Sequence, residues 1–377
     1  MNKTRRLQLH SWAMAGVLLG LWAILAILPK TRSVFLTEYN LVSLTVHMSH
    51  IAVIAVGMTL VIIIRGIDLS VGAGAALCGV VAAMLQMDYN QPAWVAIAAA
   101  VAAGAALGYW QGWWISKFNI PAFVVTLAGF NAFRGLALVL SNARGMSVKE
   151  DFDVVADNLP RSFSIAVIIL GTLAYLGWLL HDTRRRKQAG AAVLSAVAMT
   201  ADAVAALAVG GFMLSIYSSH GMPMPVFLAM AAVGIGIFLT HKTRFGRHVY
   251  AIGGNPEAAR LSGINVERTT IWVYVFIGIL TGIAGVILAG RVGGVTPGNT
   301  GNLLELDVIA AVVIGGTSLS GGRGSILGAV LGAMVFATLS KGMNLLEVNS
   351  NWQLILKGLI LMGAVLIDVL SKRKQTT

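Results

Sequence analysis

Apolar runs long enough to cross a bilayer follow one another along almost the whole chain, and this leaves few folds open. A spanning helix needs about 20 mostly apolar residues, because each residue advances it by about 1.5 Å. Twelve such runs can be read, at 11–28, 41–64, 69–87, 93–115, 120–141, 163–180, 189–216, 224–240, 270–290, 306–319, 325–343 and 353–370. The run 306–319 is short, and 189–216 is long, Ala-rich and carries Asp202. Only 11% of the 377 residues are charged, against about 25% in soluble domains. A soluble chain with so few charges would expose wide apolar patches, which lipid covers instead. The 43 glycines suit membrane helices, where they let backbones approach closely. The expected fold is all-α: one polytopic membrane domain over 1–377, with about 10–12 transmembrane helices.

The basic residues order these spans. With the N-terminus inside, 18 Lys and Arg fall in inside segments and 6 in outside segments, which favours both termini in the cytoplasm. An odd count would put the basic 241–269 loop outside, so the expected count is even. The net charge of +12 reads as this bias. Nucleic-acid binding would need the cations gathered on one soluble domain, and here they are scattered through short loops. Lys3, Arg5 and Arg6 precede the first run as in a signal peptide, but the run is long and Pro29-Lys30-Thr31-Arg32 is no small-residue cleavage site. It reads as an uncleaved span. The single cysteine, Cys78, excludes an internal disulfide and any multi-cysteine metal site.

Two soluble segments stand out: an outside, periplasmic loop at 142–162 with Glu150, Asp151, Asp153 and Asp157, and a basic inside loop at 241–269. Neither is long enough for a domain. The sequence holds no Walker A pattern and no catalytic cluster at metal-ligand spacing. The chain is therefore not expected to be an enzyme, nor to bind a cofactor or metal.

A weak internal repeat joins the two halves. Ile64 to Leu77 matches Ile314 to Leu327 without a gap at an offset of 250, with seven of fourteen positions identical. The shared core is Leu-Ser-x-Gly-x-Gly, at Leu69 to Gly74 and Leu319 to Gly324. Interrupted helices in related halves often line a transport pathway. Gly66, Asp68, Ser70, Gly72, Gly316, Ser318, Ser320 and Gly322 are the candidate pathway residues. The other reading is a pair of tight turns in which Gly supplies close packing and positive φ. Asp68 and Ser70 are positioned to cap the helix that starts near Leu69, and Ser320 to cap, less directly, the one near Ser325.

Within the inside loop, Asn255-Pro256-Glu257 reads as a helix start: Asn as N-cap, Pro at the first position, Glu favoured by the dipole. Gly263 fits a C-cap. The expected helix, Pro256 to Ser262, is marginal alone in water and needs a partner surface.

These residues carry a family resemblance. Glu257-Ala-Ala-x-x-x-Gly263 resembles the coupling motif of ABC importer permeases. The stretch from Gly246 to Ile264 resembles permeases for ribose, xylose, arabinose and related sugars. So do Gly57-Met-Thr-Leu60 with Arg65 to Gly72, and Asp307 to Gly322. The blocks lie in both halves. The resemblance implies a permease subunit in the bacterial inner membrane, a second permease copy, a cytoplasmic ATPase that holds ATP and Mg, and a periplasmic sugar-binding protein. Asn255, Pro256, Glu257, Ala258, Ala259, Arg260 and Gly263 would then form the coupling helix seated on the ATPase. Three spans lie between the two soluble loops where shorter relatives have one, a departure that resembles the xylose-type and multiple-sugar members.

Other polar residues have plainer readings. His47 and His50 share one helix face and read as packing or cavity-lining groups. Trp110, Trp113 and Trp114 read as an interface belt. Glu305 and Asp307 lie at the outside end of their run. Asp202 is an intramembrane carboxylate and so a functional candidate. With Asp68, it keeps a second class open, a proton-coupled secondary transporter.

Overall fold

The computed structural model describes residues 3–188 and 196–376. In chain order its helices are α1 (Lys3–Ile27), α2 (Glu38–Ile63), α3 (Val71–Met87), α4 (Ala93–Lys117), α5 (Ala122–Leu140), α6 (Arg161–Gln188), α7 (Ala196–Tyr217) and α8 (Met224–Lys242). There follow α9 (Arg244–Gly254), α10 (Pro256–Leu261), α11 (Val266–Val292), α12 (Leu304–Ile314), α13 (Ile326–Leu345) and α14 (Ser350–Thr376). Two short strands, β1 (Met146–Ser147) and β2 (Gly294–Val295), pair antiparallel. Among the described residues, eight helices are long and apolar enough to span a membrane: α2, α4, α5, α6, α7, α8, α11 and α13. Apolar stretches of α1, α3 and α14 are shorter. The protein is a polytopic all-α membrane protein. Residues 189–195 of the run 189–216 lie outside the described residues.

The chain forms two compact units. One runs to Ala156 and resumes at Pro225; the other is Asp157–Met224. In the larger unit, α11 is the central helix and packs on α4, α3 and α2. Its closest neighbour is α4, which buries Ala96, Ala100, Gly104, Gly108 and Gly112. That four-residue spacing lines one helix face with small side chains. On α11, Gly278 and Gly282 meet the same seam, and a Cβ at Gly104 would overlap the Gly278 carbonyl oxygen. Backbones touch here, which is how membrane helices gain contact when lipid offers no hydrophobic drive. In α2, every residue from Ser49 to Ile63 is buried. A helix apolar on all faces belongs inside a bundle, so α2 is a span enclosed by protein rather than by lipid.

Helix ends follow local chemistry. Thr37 caps α2 by accepting from the Asn40 amide, and Asn265 caps α11 by accepting from the Arg268 amide. Gly293 closes α11 with φ +67. The 142–162 segment is pinned by the β1–β2 pair and by Phe152 and Val155, buried in a 3₁₀ helix over Glu150–Val155. Asp151 accepts from Gln86 Nε2 at 2.7 Å and from the Ala93 amide at 2.8 Å. One of the four acids of this loop is therefore a structural acceptor.

In the smaller unit, α6 and α7 pack on each other. The Leu159 amide donates to the Met222 carbonyl, and the Met222 amide donates to Ser164 Oγ, which ties the segment ends together. Leu170, Leu173, Val204 and Leu207 are exposed on these helices. On membrane helices such side chains meet lipid.

Two sequence expectations change. The run 306–319 is not a continuous span: α12 stops at Ile314, and the chain stays non-helical until Ile326. The 241–269 loop holds two helices rather than one, because Thr243 caps a further helix, α9, by accepting from the Gly246 amide.

Candidate functional site

The first break runs from Ile64 to Ser70, between α2 and α3. The helix cannot continue through Arg65, which has φ +69. The freed backbone groups find local partners: the Gly66 amide donates to Val61 and the Arg65 amide to Ile62. Asp68 and Ser70 do not cap α3 in the expected way, since Ser70 makes no side-chain cap bond. Instead Asp68 Oδ1 accepts from the Ser70 amide at 2.8 Å and from Ser70 Oγ at 2.7 Å. Gln111 Nε2 on α4 donates to Ser70 Oγ, and Thr126 Oγ1 on α5 donates to the Ile67 carbonyl at 2.9 Å. Burial pushes the Asp68 carboxyl up to about 6, against the two Ser70 bonds that hold it down. The break is thus a fixed, hydrogen-bonded bend. Gly66 presses against Tyr274 Oη of α11, and a Cβ at Gly72 would overlap the Gly301 carbonyl and Glu305 Oε2.

The second break starts one residue later in register than the first. α2 ends at Ile63 with Ile64 as its C-cap, whereas α12 includes Ile314, the equivalent of Ile64, and has Gly315 as its C-cap. Here Gly316, Gly321 and Gly322 take positive φ. The helix restarts do not match: α3 begins at Val71, whereas α13 begins only at Ile326. Its cap is Ser325, accepting from the Gly328 amide, and not Ser320. Ser318 Oγ and Ser320 Oγ face each other at 3.0 Å, and the Ser318 amide donates to the Arg323 carbonyl.

The helix read from Asn255-Pro256-Glu257 is present as α10. Asn255 accepts from the Ala258 amide at 3.1 Å, Pro256 opens the helix, and Gly263 has φ +82 beyond it. Ala259 is its buried residue, while Glu257, Arg260 and Leu261 are exposed. Leu261 is 87% exposed, an apolar side chain left uncovered on a helix of six residues.

Immediately before α10, the end of α9 meets both breaks. Arg65 donates from Nε to the Gly253 carbonyl at 3.0 Å and from Nη2 to the Gly254 carbonyl at 2.7 Å. The Gly322 amide donates to the Ile63 carbonyl at 2.9 Å, so the second break is bonded to the end of α2. Gly253 sits at that bond, where a Cβ would overlap both Ile63 O and Gly322 N. Tyr250 of α9 donates its hydroxyl to the Gly324 carbonyl at 2.9 Å. Burial holds the Tyr250 phenol above the ordinary tyrosine value, so it stays a donor. Of the predicted pathway residues, Gly322 lies at this junction, Gly66 beside it on the first break, and Asp68, Ser70 and Gly72 further along towards α3. Sequence reasoning missed Tyr250, Gly253 and the α9 helix. The signal was present: Thr243 at a cap position, followed by Phe245, Val249 and Ile252 at helical spacing.

Other candidates resolve into packing or pairs. His47 and His50 rings meet edge to face at 5.5 Å, with His47 Nδ1 3.2 Å from Arg291 Nη1. Lys357 pairs with Asp307 at 3.0 Å and lies 5.2 Å from the Phe336 ring. Arg134 donates to the Pro297 and Thr300 carbonyls. Trp113 and Trp114 pack with Phe118, and Trp110 with Phe133, so the tryptophans are a packed cluster. Among the described residues no three His, Cys, Asp or Glu gather as a metal site.

Residues 40–365 match the family described as "Branched-chain amino acid transport system / permease component". The chain is 39% identical to the xylose transport system permease protein XylH of Haemophilus influenzae, over 99% of this chain and 100% of that protein. It is 40% identical to the XylH protein of Escherichia coli, over 91% of this chain and 88% of that protein. The ribose import permease protein RbsC of Escherichia coli is 36% identical over 97% of this chain and 96% of that protein. No solved structure matches the chain. With the match running through both breaks and through α9 and α10, the chain belongs to the family of branched-chain amino acid transport system permease components, among its xylose- and ribose-type members.

Proposed function

We propose that this chain is the permease subunit of an ABC importer that moves a monosaccharide, D-xylose or a related sugar, into the cytoplasm of a bacterium. The xylose and ribose relatives, matched over nearly their full lengths, support the substrate class. In this reading both termini face the cytoplasm. Two permease copies form the pathway in the inner membrane. A periplasmic binding protein delivers the sugar, and ATP and Mg are held by a separate cytoplasmic ATPase. Asn255, Pro256, Glu257, Ala258, Ala259, Arg260 and Gly263 form the surface that the ATPase grips. The exposed Leu261, beside Glu257 and Arg260, suits burial in a cleft of a partner.

The observation that carries the proposal is the junction of α9 with both helix breaks. A force applied to α10 reaches the breaks through backbone contacts, with no flexible side chain between Gly253 and Ile63. Gly66, Asp68, Ser70, Gly72, Gly316, Ser318, Ser320 and Gly322 are the segments so moved, and they form the gate of the pathway.

Uptake of labelled xylose by a deletion strain carrying the gene tests this. Uptake should depend on ATP, survive an uncoupler when ATP is maintained, and be lost with Glu257→Ala. Uptake that collapses with the uncoupler at constant ATP would instead indicate proton coupling through Asp68 or Asp202.

A further inference from the structure

A cavity of about 370 Å³ lies beside the junction, between the end of α4, the start of α5, the first break and α10. Its lining includes Arg65, Lys117 and Arg260, with Glu267 as the opposing carboxylate. Three cations and one anion leave a positive excess in a concave site. The two carbonyls that Arg65 binds are neutral and do not offset its charge. Arg260 lies 3.9 Å from Glu257, in a pair that is largely exposed and so only weakly coupled. The start of α5 also faces the cavity at Ala122, and Pro121 at its N-cap gives no side-chain cap. Amides at such a start favour negative charge.

An independent observation comes from Tyr274. Tyr274 is one of the residues lining this cavity, and its hydroxyl is fully buried and has no hydrogen-bond partner. A buried hydroxyl without a partner is costly and rare in folded proteins. It is accounted for when a ligand oxygen completes it. A neutral sugar would use the hydroxyl but leave the positive excess of the lining uncompensated. A phosphate group would use both, since Lys and Arg bind phosphate oxygens by charge-assisted hydrogen bonds.

From this geometry we infer a phosphate-binding site, formed by Arg65, Lys117, Arg260 and the Tyr274 hydroxyl, that accepts the phosphate of a soluble phosphorylated compound or of a lipid headgroup. Pro256 and Arg260 of α10 are part of the wall, so an occupant braces α10 against α4 and α11. The inference goes beyond the transport reading and does not depend on it.

The test uses the full-length chain purified in detergent, in two arms. Titration calorimetry with inorganic phosphate reports a soluble ligand, and native mass spectrometry with added phosphatidylglycerol reports a headgroup. Binding in either arm, weakened about tenfold by Lys117→Gln and by Tyr274→Phe and retained by Lys117→Arg, establishes the site and its source, because one charge-assisted bond is worth roughly that factor. Tyr274→Phe removes only a hydroxyl that bonds to nothing in the empty protein, so it leaves folding intact. No binding in either arm, or equal binding by all three variants, overturns the inference. Neither arm needs an ATPase or a sugar-binding protein, so failure here is separate from failure of the transport reading.

Discussion

Replacing Gly253 by Ala tests the junction at its tightest point. The added methyl would occupy the space of Ile63 O and Gly322 N, which are themselves joined by a 2.9 Å hydrogen bond. Backbone atoms cannot rotate away as a side-chain tip can, so α9 would have to retreat by on the order of 1 Å in a close-packed interior. Overpacking of this kind costs about 1–3 kcal/mol. Losing the Gly322–Ile63 bond would add about 1 kcal/mol. Ala is a better helix former than Gly by about 0.5–1 kcal/mol, which offsets part of this. The net expectation is a destabilisation of about 1–3 kcal/mol. Gly254→Ala is the matched control. It lies one residue further on, its Cβ would meet nothing within 4 Å, and it should be neutral or slightly stabilising. Thermal unfolding of the two purified variants measures the difference. In vesicles reconstituted with the ATPase and binding protein of the proposed importer, the complex containing Gly253→Ala should hydrolyse ATP but lose most sugar uptake. If both variants unfold at one temperature and transport equally, α9 does not hold the breaks and the coupling argument fails.

Three further outcomes follow from single contacts. Asn255→Ala removes the acceptor of the Ala258 amide and should weaken α10 by about 0.5–2 kcal/mol, read as faster hydrogen exchange at that amide than in the parent chain. Gly104→Val would overlap the Gly278 carbonyl in the α4–α11 seam and should abolish folded yield, whereas Gly135→Ala, which meets nothing within 4 Å, should not; comparable monodisperse yields would refute the seam. Asp68, raised from 3.8 to about 6, binds its proton more tightly in the folded chain than in the unfolded one. Stability should therefore be greatest below about pH 4, fall as pH rises towards 6 and level off above. Asp68→Asn keeps an oxygen for the Ser70 donors and should remove this decline, as measured by unfolding between pH 4 and 8.

Much of this architecture was legible in the chain, for reasons that differ between elements. Eight of the twelve runs read as spans are long, apolar helices among the described residues, because hydrophobic length is imposed by the bilayer itself. The α10 helix was readable because its signals are local: a capping Asn, a Pro at the first turn and a terminal Gly, all within nine residues from Asn255 to Gly263. The repeat sets Ile64 and Ile314, at the two helix ends, as equivalents, although the apolar run 306–319 carried the second helix too far. The restarts, expected near Leu69 and Ser325, fall at Val71 and Ile326; the expected side-chain caps, Ser70 and Ser320, do not form. An ungapped match over Leu-Ser-x-Gly-x-Gly says nothing of how many residues remain non-helical, and the second copy keeps four more. The Asp68 side chain was misread because capping and a bend share the same residues. Only the third dimension shows that Gln111 and Thr126 hold Ser70 and Ile67 from neighbouring helices. Long-range partners of this kind leave no period in a single sequence.

The junction also explains why so many glycines cluster where a permease must move. Gly253, Gly321 and Gly322 bring backbone against backbone among α9, α2 and the second break. Larger side chains there would separate the segments and let rotamer changes absorb a displacement before it reached the breaks. Direct backbone contact leaves no such slack, and packed interiors switch between arrangements rather than deform gradually. Arg65 adds direction: its guanidinium grips the last two carbonyls of α9, so pulling α10 away draws on the first break through Arg65 and on the second through Tyr250. Arg65→Lys should therefore be a partial defect. A lysine can hold one of the two carbonyls but not both in a planar fork. Uptake should lie between that of the parent chain and that of Arg65→Ala, and parent-like uptake with Arg65→Lys would mean that charge alone, rather than the two-point grip, links α9 to the break.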